Sequence, residues 1–221
     1  MTKHNITERT LTGVVLAIIG GMMDAYSYVY RGHVFANAQT GNIMLCGIKL
    51  SEGDFASALS YLLPILAFSC GVAVSYTVRR ILSKNEKNTF QWIILIANAF
   101  ILISVAFLPN KYDMYANCMI SLTCGAQLAS FPIISGNTAA TTMCIGNLQK
   151  MIGELVEYFS EKNTENLKKS IVYALIIVAF ISGAVVQNLL IKLVGSFAIV
   201  AGGIASLFLG IIIYADTRAK T

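Results

Sequence analysis

The segment VFANAQTGNIMLCG, residues 34–47, decides how this sequence is interpreted. It lies between long apolar stretches, yet it places Asn37, Gln39, Thr40 and Asn42 around Gly41. Such polar groups need partners at membrane depth, because hydrocarbon offers no hydrogen bonds. The segment therefore predicts a length of non-helical chain whose polar groups are satisfied by protein or by a water-filled cavity.

The composition of the chain indicates an integral membrane protein. Of its 221 residues, 56% are hydrophobic and 12% are charged, whereas soluble domains carry about 25% charged residues. The apolar residues occur in blocks of about twenty, which is the length needed to cross a bilayer. The net charge of +5 is spread over the short gaps between these blocks, which argues against a nucleic-acid partner and for a lipid bilayer.

Six stretches are long and apolar enough to span a membrane as helices. They cover residues 11–30, 56–78, 90–108, 114–134, 171–191 and 194–214. Two further segments, at about residues 33–50 and 135–159, are too short or too polar for ordinary lipid-facing spans. The expected fold is therefore all-α, a single membrane domain of six transmembrane helices with two re-entrant broken-helix segments.

The distribution of lysine and arginine predicts the topology. If both polar segments enter and leave on the same side, twelve basic residues fall on one side and four on the other; if both cross, the division is ten to six. The positive-inside rule favours the more unequal division. We therefore expect both termini and the loop at residues 79–87 on the cytoplasmic side of a multi-pass protein of the cytoplasmic membrane.

Three short matches relate the two halves of the chain. GGMMDA at residues 20–25 aligns with CGAQLA at 124–129, QTGNI at 39–43 with CIGNL at 144–148, and LAFSCGVAV at 66–74 with VAFISGAVV at 178–186. Because the matches keep their order, we expect two repeat units, residues 9–108 and 114–214. Three spans per unit is an odd number, so the second unit would be inverted, as in many secondary transporters.

The two polar segments are expected to break and then restart as helices. Gly41 and Gly146 would permit the breaks, and Thr40 and Thr142 would cap the new helices. A helix that starts inside the bilayer exposes N–H groups and a positive dipole end, which can hold a cap or a polar ligand. Ligand contact and helix capping are the two interpretations for the candidate site residues of both segments, which are Asn37, Gln39, Thr40, Gly41, Asn42, Asn137, Thr141, Thr142, Gly146 and Asn147.

Asp24 is the most informative single residue. It follows thirteen uncharged residues of the first span, where a carboxylate costs about 2.5–3.5 kcal/mol on insertion scales. Such a residue usually faces a cavity and can exchange protons; the alternative is an interfacial acid paired with backbone or with Arg31. The aligned residue of the second unit is Leu128, so proton coupling would depend on Asp24 alone, and Gln127 would supply polarity from the second unit.

The first polar segment and the span before it carry a family resemblance. GGMMDAYSY, followed by GHVFANAQTGNIMLCGI, resembles the amino-terminal signature of the YoaK-like family of bacterial membrane proteins of unknown function, and TTMCIGNL at residues 141–148 resembles its second element. Ile145 stands where the family often has threonine. The resemblance covers most of the chain and implies a bacterial membrane protein loosely grouped with exporters.

Together these features predict a small secondary transporter for a small polar or amphipathic solute, with proton coupling through Asp24. A channel built from re-entrant half-helices is the closest alternative, and an intramembrane lipid-handling protein or enzyme is another.

The sequence has no protease motif or carboxylate dyad at membrane depth, so neither enzyme activity nor a catalytic residue is expected. Its cysteines and histidines are scattered, so we expect no metal and no cofactor. Small residues recur every four positions in two spans, which suits helix packing within one chain or in a homodimer.

Overall fold

The computed structural model describes residues 6–82, 89–141 and 143–219, and most of them are helical. The eight α-helices in these three ranges are α1 Thr10–Tyr30, α2 Gln39–Ser51, α3 Phe55–Leu82, α4 Thr89–Val105, α5 Asp113–Ser130, α6 Ile145–Glu161, α7 Thr164–Val194 and α8 Ile199–Arg218. Short 3-10 turns cover Ile6–Glu8, Asn110–Tyr112 and Gly195–Ala198. The predicted helical membrane class is confirmed, with a small hairpin that was not expected.

Among the described residues, three helical segments are long and apolar enough to cross a membrane, namely Thr10–Tyr30, Phe55–Leu82 and Thr164–Arg218. The third has 55 residues and includes both α7 and α8, which are separated at Gly195, where φ is +58°. The shorter Phe90–Val105 is also apolar. Large apolar side chains are exposed along these helices, which is unfavourable in water over so large a surface and normal in lipid. The protein is therefore a multi-pass membrane protein.

The helices pack in pairs. α1 packs against α7, α3 against α5, and α4 against α8. The remaining two helices pack against these pairs, α2 on α3 and α6 on α7. The central core joins α1, α4, α5 and α8 through side chains that include Ile19, Met23, Leu102, Ile120 and Ile199.

Two of the helix pairs are in backbone contact at glycines. In the α1–α7 pair, a Cβ atom on Gly21 would lie 2.0 Å from the carbonyl oxygen of Phe180, and one on Gly183 would lie 2.1 Å from that of Ile18. Real Cβ atoms do not approach so closely, so any larger residue would force the two helices apart. Close approach through small residues is typical of helix packing in membranes.

The α3–α5 pair repeats this contact. A Cβ atom on Gly71 would lie 2.0 Å from the carbonyl oxygen of Leu122, and one on Gly125 would lie 2.1 Å from that of Phe68. The small-residue spacing around Gly71 thus serves packing within one chain.

Arg31, directly after α1, is fully buried in a network of hydrogen bonds. Its Nη1 donates to Oδ1 of Asp113 at 2.9 Å, and its Nη2 donates to the carbonyl oxygens of Val105 and Leu108 at 3.0 and 2.9 Å. Both Nε and Nη2 donate to the hydroxyl of Tyr26. The side chain therefore fastens the end of α1 to the connection between α4 and α5.

The expected helix breaks at Gly41 and Gly146 are wrong. Gly41 is the third residue of α2 and Gly146 the second of α6, and neither is among the described glycines with a positive φ. The non-helical chain lies before each helix instead. A Cβ atom on Gly41 would lie 2.9 Å from the ring of Phe35, so this position needs a small residue rather than a special backbone conformation.

The expected cap at Thr40 is also wrong. Thr40 is the second residue of α2, and the residue that precedes the helix, Ala38, makes no side-chain capping bond within the described chain. Thr142, the expected cap of the second helix, lies outside the described residues.

Two predicted spans end earlier than expected. The stretch at 90–108 is helical only to Val105, and the stretch at 114–134 only to Ser130. After Ser130 the chain forms the antiparallel hairpin of β1 Ile133–Ile134 and β2 Asn137–Thr138. Its turn places Ser135 and Gly136 at φ +51° and +76°, conformations that suit a tight hairpin turn. Asn137, a predicted site residue, lies in β2 and donates to the carbonyl oxygen of Ser135.

Candidate functional site

A cavity of about 670 Å³ lies between the first residues of α2 and the first residues of α6. Helices α1, α3 and α7 complete its walls. Its size is within the range of about 300–1,000 Å³ that is usual for small-molecule sites. The lining residues are Asp24, Ala25, Tyr28, Phe35, Ala38, Gln39, Thr40, Phe68, Met143, Cys144, Ile145 and Phe180.

Asp24 supplies the one charged side chain among the described residues that line this cavity. Its Oδ1 accepts a hydrogen bond from the backbone N–H of Asn37 at 2.7 Å, while the N–H of the neighbouring Ala36 donates to the hydroxyl of Ser27 at 3.1 Å. Because Arg31 pairs with Asp113, the partner of Asp24 is the chain before α2. The carboxylate thus satisfies the non-helical backbone and complements the positive end of α2.

Two asparagines hold the non-helical chain against its helix in both halves of the protein. The side chain of Asn42 donates to the carbonyl oxygen of Phe35 at 2.6 Å and accepts from its N–H at 3.0 Å. The side chain of Asn147 makes the same pair of bonds with Ala140, at 2.6 and 3.2 Å. Each asparagine bonds to the N–H and the carbonyl oxygen of the residue seven positions earlier, and so braces the non-helical chain. Neither asparagine is among the residues that line the cavity.

Aromatic rings form much of the cavity wall. Tyr28 and Phe35 stack on each other with ring centroids 4.8 Å apart. Phe68 and Phe180 come from α3 and α7, and their carbonyl groups contact Gly125 and Gly21 of the neighbouring helices. Sequence reasoning missed these rings, because phenylalanine in a span is most often lipid-facing; the match of LAFSCG with VAFISG was the available signal.

The described residues of the predicted site separate into three groups. Asp24, Gln39 and Thr40 line the cavity. Asn37 is buried beside it and donates to the carbonyl oxygen of Gly20, while Gln127 donates to that of Leu16. The others lie off the lining, and these are Gly41, Asn42, Asn137, Thr141, Gly146 and Asn147.

A second, smaller cavity of about 310 Å³ lies beside Leu128, the residue aligned with Asp24. Its lining includes Val72 and Tyr76 of α3 and Lys150 of α6. The ammonium group of Lys150 is held by both oxygens of Thr138. This cavity therefore lacks the acid of the larger one and carries a cation instead.

Within the described ranges, no group of three His, Cys, Asp or Glu side chains is placed to hold a metal ion. The bundle of long apolar helices defines the class, a multi-pass helical membrane protein. The model of the family described as "Protein of unknown function (DUF1275)" matches residues 12–213, and the chain belongs to this family.

A relative confirms the resemblance that the sequence motifs indicated. The UPF0700 transmembrane protein YoaK of Bacillus subtilis (strain 168) is 23% identical over 185 residues, which cover 79% of this chain and 80% of that protein. No solved structure matches the chain.

Proposed function

We propose that the protein is a small secondary transporter that moves a small polar or amphipathic solute across the bacterial cytoplasmic membrane, coupled to protons through Asp24. The observation that carries the proposal is the cavity between the starts of α2 and α6, with one carboxylate on a largely apolar wall. Ionisable residues at membrane depth are costly and usually mark substrate or proton pathways. Non-helical chain at that depth is tolerated where it lines such a cavity.

We further propose six crossings, α1, α3, α4, α5, α7 and α8, in two inverted units at residues 9–108 and 114–214, with α2 and α6 re-entrant. The packing supports this arrangement, because exchanging α1–α4 with α5–α8 leaves the pattern of pairs unchanged. The pair α1–α7 becomes α5–α3, the pair α2–α3 becomes α6–α7, and α4–α8 maps onto itself.

The glycine contacts support the same exchange at the level of single residues. The sequence matches align Gly21 with Gly125 and Phe68 with Phe180. Gly21 contacts the carbonyl of Phe180, and Gly125 contacts that of Phe68, so the exchange converts one contact into the other. Asn42 and Asn147 are also aligned, and the exchange converts the bond of Asn42 to Phe35 into the bond of Asn147 to Ala140.

The topology can be tested with single cysteines in a cysteine-free background. Lys111→Cys, in the turn between α4 and α5, should react with a membrane-impermeant maleimide added to intact cells. Lys162→Cys, between α6 and α7, should react only after the cells are permeabilised, because the twelve-to-four charge division puts this loop in the cytoplasm. Both positions are exposed, so access to reagent is matched. Labelling of Lys162→Cys from outside would contradict the inverted arrangement.

In the proposed mechanism, the proton and the solute occupy the same cavity. A proton on Asp24 removes the charge that now bonds to the backbone of Asn37, and solute entry changes the polarity around the carboxylate. Coupling then arises because each occupant alters the affinity for the other, and this effect is reciprocal.

The test of the mechanism is Asp24→Asn in proteoliposomes with an imposed pH gradient. Asparagine keeps an acceptor for the N–H of Asn37 but cannot exchange a proton, so we expect a folded protein that has lost pH-driven accumulation. Solute-dependent proton movement is followed with a pH-sensitive dye trapped inside the vesicles, over a panel of amines, amino acids and weak acids. Glu157→Gln, an exposed acid on α6, is the matched control and should behave as the unmodified protein.

Three other outcomes would change the proposed function. If the Asp24→Asn variant accumulates solute with an unchanged pH dependence, Asp24 takes no part in proton coupling. Current that rises with voltage without saturating in solute would favour a channel. The absence of any solute-dependent proton movement across the panel would contradict the transporter proposal and favour a lipid-handling role.

A further inference from the structure

The larger cavity combines a carboxylate with aromatic side chains. Tyr28 and Phe35 form a stacked pair next to Asp24 on the side of α1 and α2. Phe68 and Phe180 project from α3 and α7. An aromatic face attracts a cation through its quadrupole, and quaternary ammonium ligands are recognised in this way by cages of aromatic rings.

The positions of the two phenylalanines are firmly set. Phe68 lies where α3 touches Gly125 of α5, and Phe180 lies where α7 touches Gly21 of α1. Because these are backbone contacts between long helices, they leave little freedom for the Cα positions from which the rings extend. A ligand between them therefore meets preformed apolar walls, which lowers the cost of ordering on binding.

The charge on the described lining of the cavity is negative. The positive end of α2 is already complemented by Asp24, whose carboxylate accepts from the N–H of Asn37, two residues before the helix. Among the lining residues that the structure describes there is no lysine or arginine. An added cation would meet a carboxylate and ring faces, whereas an added anion would meet the carboxylate as a like charge and only the start of α6 as a favourable dipole.

We propose that this cavity binds amphipathic organic cations, in which an ammonium or phosphonium centre is attached to an apolar body. The cationic centre lies near Asp24 and the ring faces, and the apolar body fills the space along Phe68, Phe180 and Met143. The inference rests on the proposed transporter and names the substrate class of the same site. Because the ligand carries the charge, its binding competes directly with a proton for the carboxylate.

The test is equilibrium binding to the full-length protein in a non-ionic detergent. Radiolabelled tetraphenylphosphonium and the smaller benzyltrimethylammonium serve as cationic probes, and tetraphenylborate is the anion matched in shape to the first. We expect saturable binding of at least one cationic probe, with binding of the borate at least about tenfold weaker because of the charge at Asp24. Specific binding is the part of the bound radiolabel that an excess of unlabelled probe displaces. Radiolabel that partitions into the detergent is not displaced and is subtracted.

Variants separate the charge from the rings. Asp24→Asn should weaken binding of the cation by about tenfold or more, since it removes the buried counter-charge. Phe68→Leu and Phe180→Leu should each weaken it by about threefold to thirtyfold, the range expected for a cation over a ring. Phe100→Leu, on the exposed face of α4, is the matched control and should leave the affinity unchanged. Gel filtration and melting temperature confirm that each variant is folded.

The results distinguish this inference from the transporter proposal. Saturable cation binding that depends on Asp24, without transport of the same cation, would leave the inference standing and overturn the transport activity. Transport of a neutral or anionic solute, with neither cationic probe bound, would overturn the inference alone. Tighter binding of tetraphenylborate, or equal cation binding by Asp24→Asn, would also overturn it.

Discussion

Gly21→Ala and Gly125→Ala should each lower the apparent melting temperature in detergent by about 10 °C, which corresponds to about 3 kcal/mol or more for a chain of this size. The added Cβ atom would lie 2.0 Å from the carbonyl oxygen of Phe180 in the first case and 2.1 Å from that of Phe68 in the second. Relief requires movement of a whole helix, because the obstructing atom is backbone rather than the end of a flexible side chain.

The control for these variants is alanine at a glycine with open surroundings. Gly47 in α2 and Gly153 in α6 have no described atom within 4 Å of an added Cβ. Alanine is about 1 kcal/mol better than glycine inside a helix, so Gly47→Ala and Gly153→Ala should be neutral or slightly stabilising. Equal melting temperatures for all four variants would contradict the backbone contacts.

Arg31→Met should destabilise the protein by about 3 kcal/mol, the lower end of the range for breaking a buried ion pair. The substitution removes the bonds to Asp113, Tyr26, Val105 and Leu108 while keeping most of the apolar volume. The lower end is expected because the side chain of Asp113 keeps 29% of its surface exposed and can be hydrated. Unfolding followed by thermal denaturation in detergent measures the loss.

Two further variants separate the contribution of the pair from that of the remaining bonds. Arg31→Met combined with Asp113→Asn should recover part of the loss, because the unpaired carboxylate is then removed. Lys49→Met breaks the exposed pair with Glu52, where little effect is expected since water screens such pairs. A loss at Lys49 as large as that at Arg31 would show that burial is not the cause.

Much of the helical framework could be predicted because its signals are local. The length and apolarity of residues 11–30 and 56–78 anticipate α1 and α3 closely. The polar residues before α2 and α6 correctly indicated non-helical chain, since such groups need partners wherever they lie. The position of each helix start was wrong, because Gly41 serves a contact with Phe35 that the spacing of residues does not reveal.

The partners within the site depend on contacts between distant parts of the chain. Arg31 bonds to Asp113, which is 82 residues away, and one sequence holds no signal that would select this acid over Asp24. In the sequence, Phe68 and Phe180 cannot be told from lipid-facing phenylalanines, because only the packing of α3 and α7 shows that they line the cavity. Position 142 lies outside the described residues, so the expectation for Thr142 stays a prediction.

At one aligned pair of positions, the first half of the chain has Asp24 and the second half has Leu128. In the proposed inverted arrangement, the two halves present the same backbone to opposite sides of the membrane, and a chain with identical halves would look the same from either side. Asp24 marks one cavity with an acid, whereas Leu128 leaves its counterpart without one, next to Lys150. In that proposed arrangement, the two sides of the membrane would be chemically unequal for any charged occupant, although both halves present the same backbone.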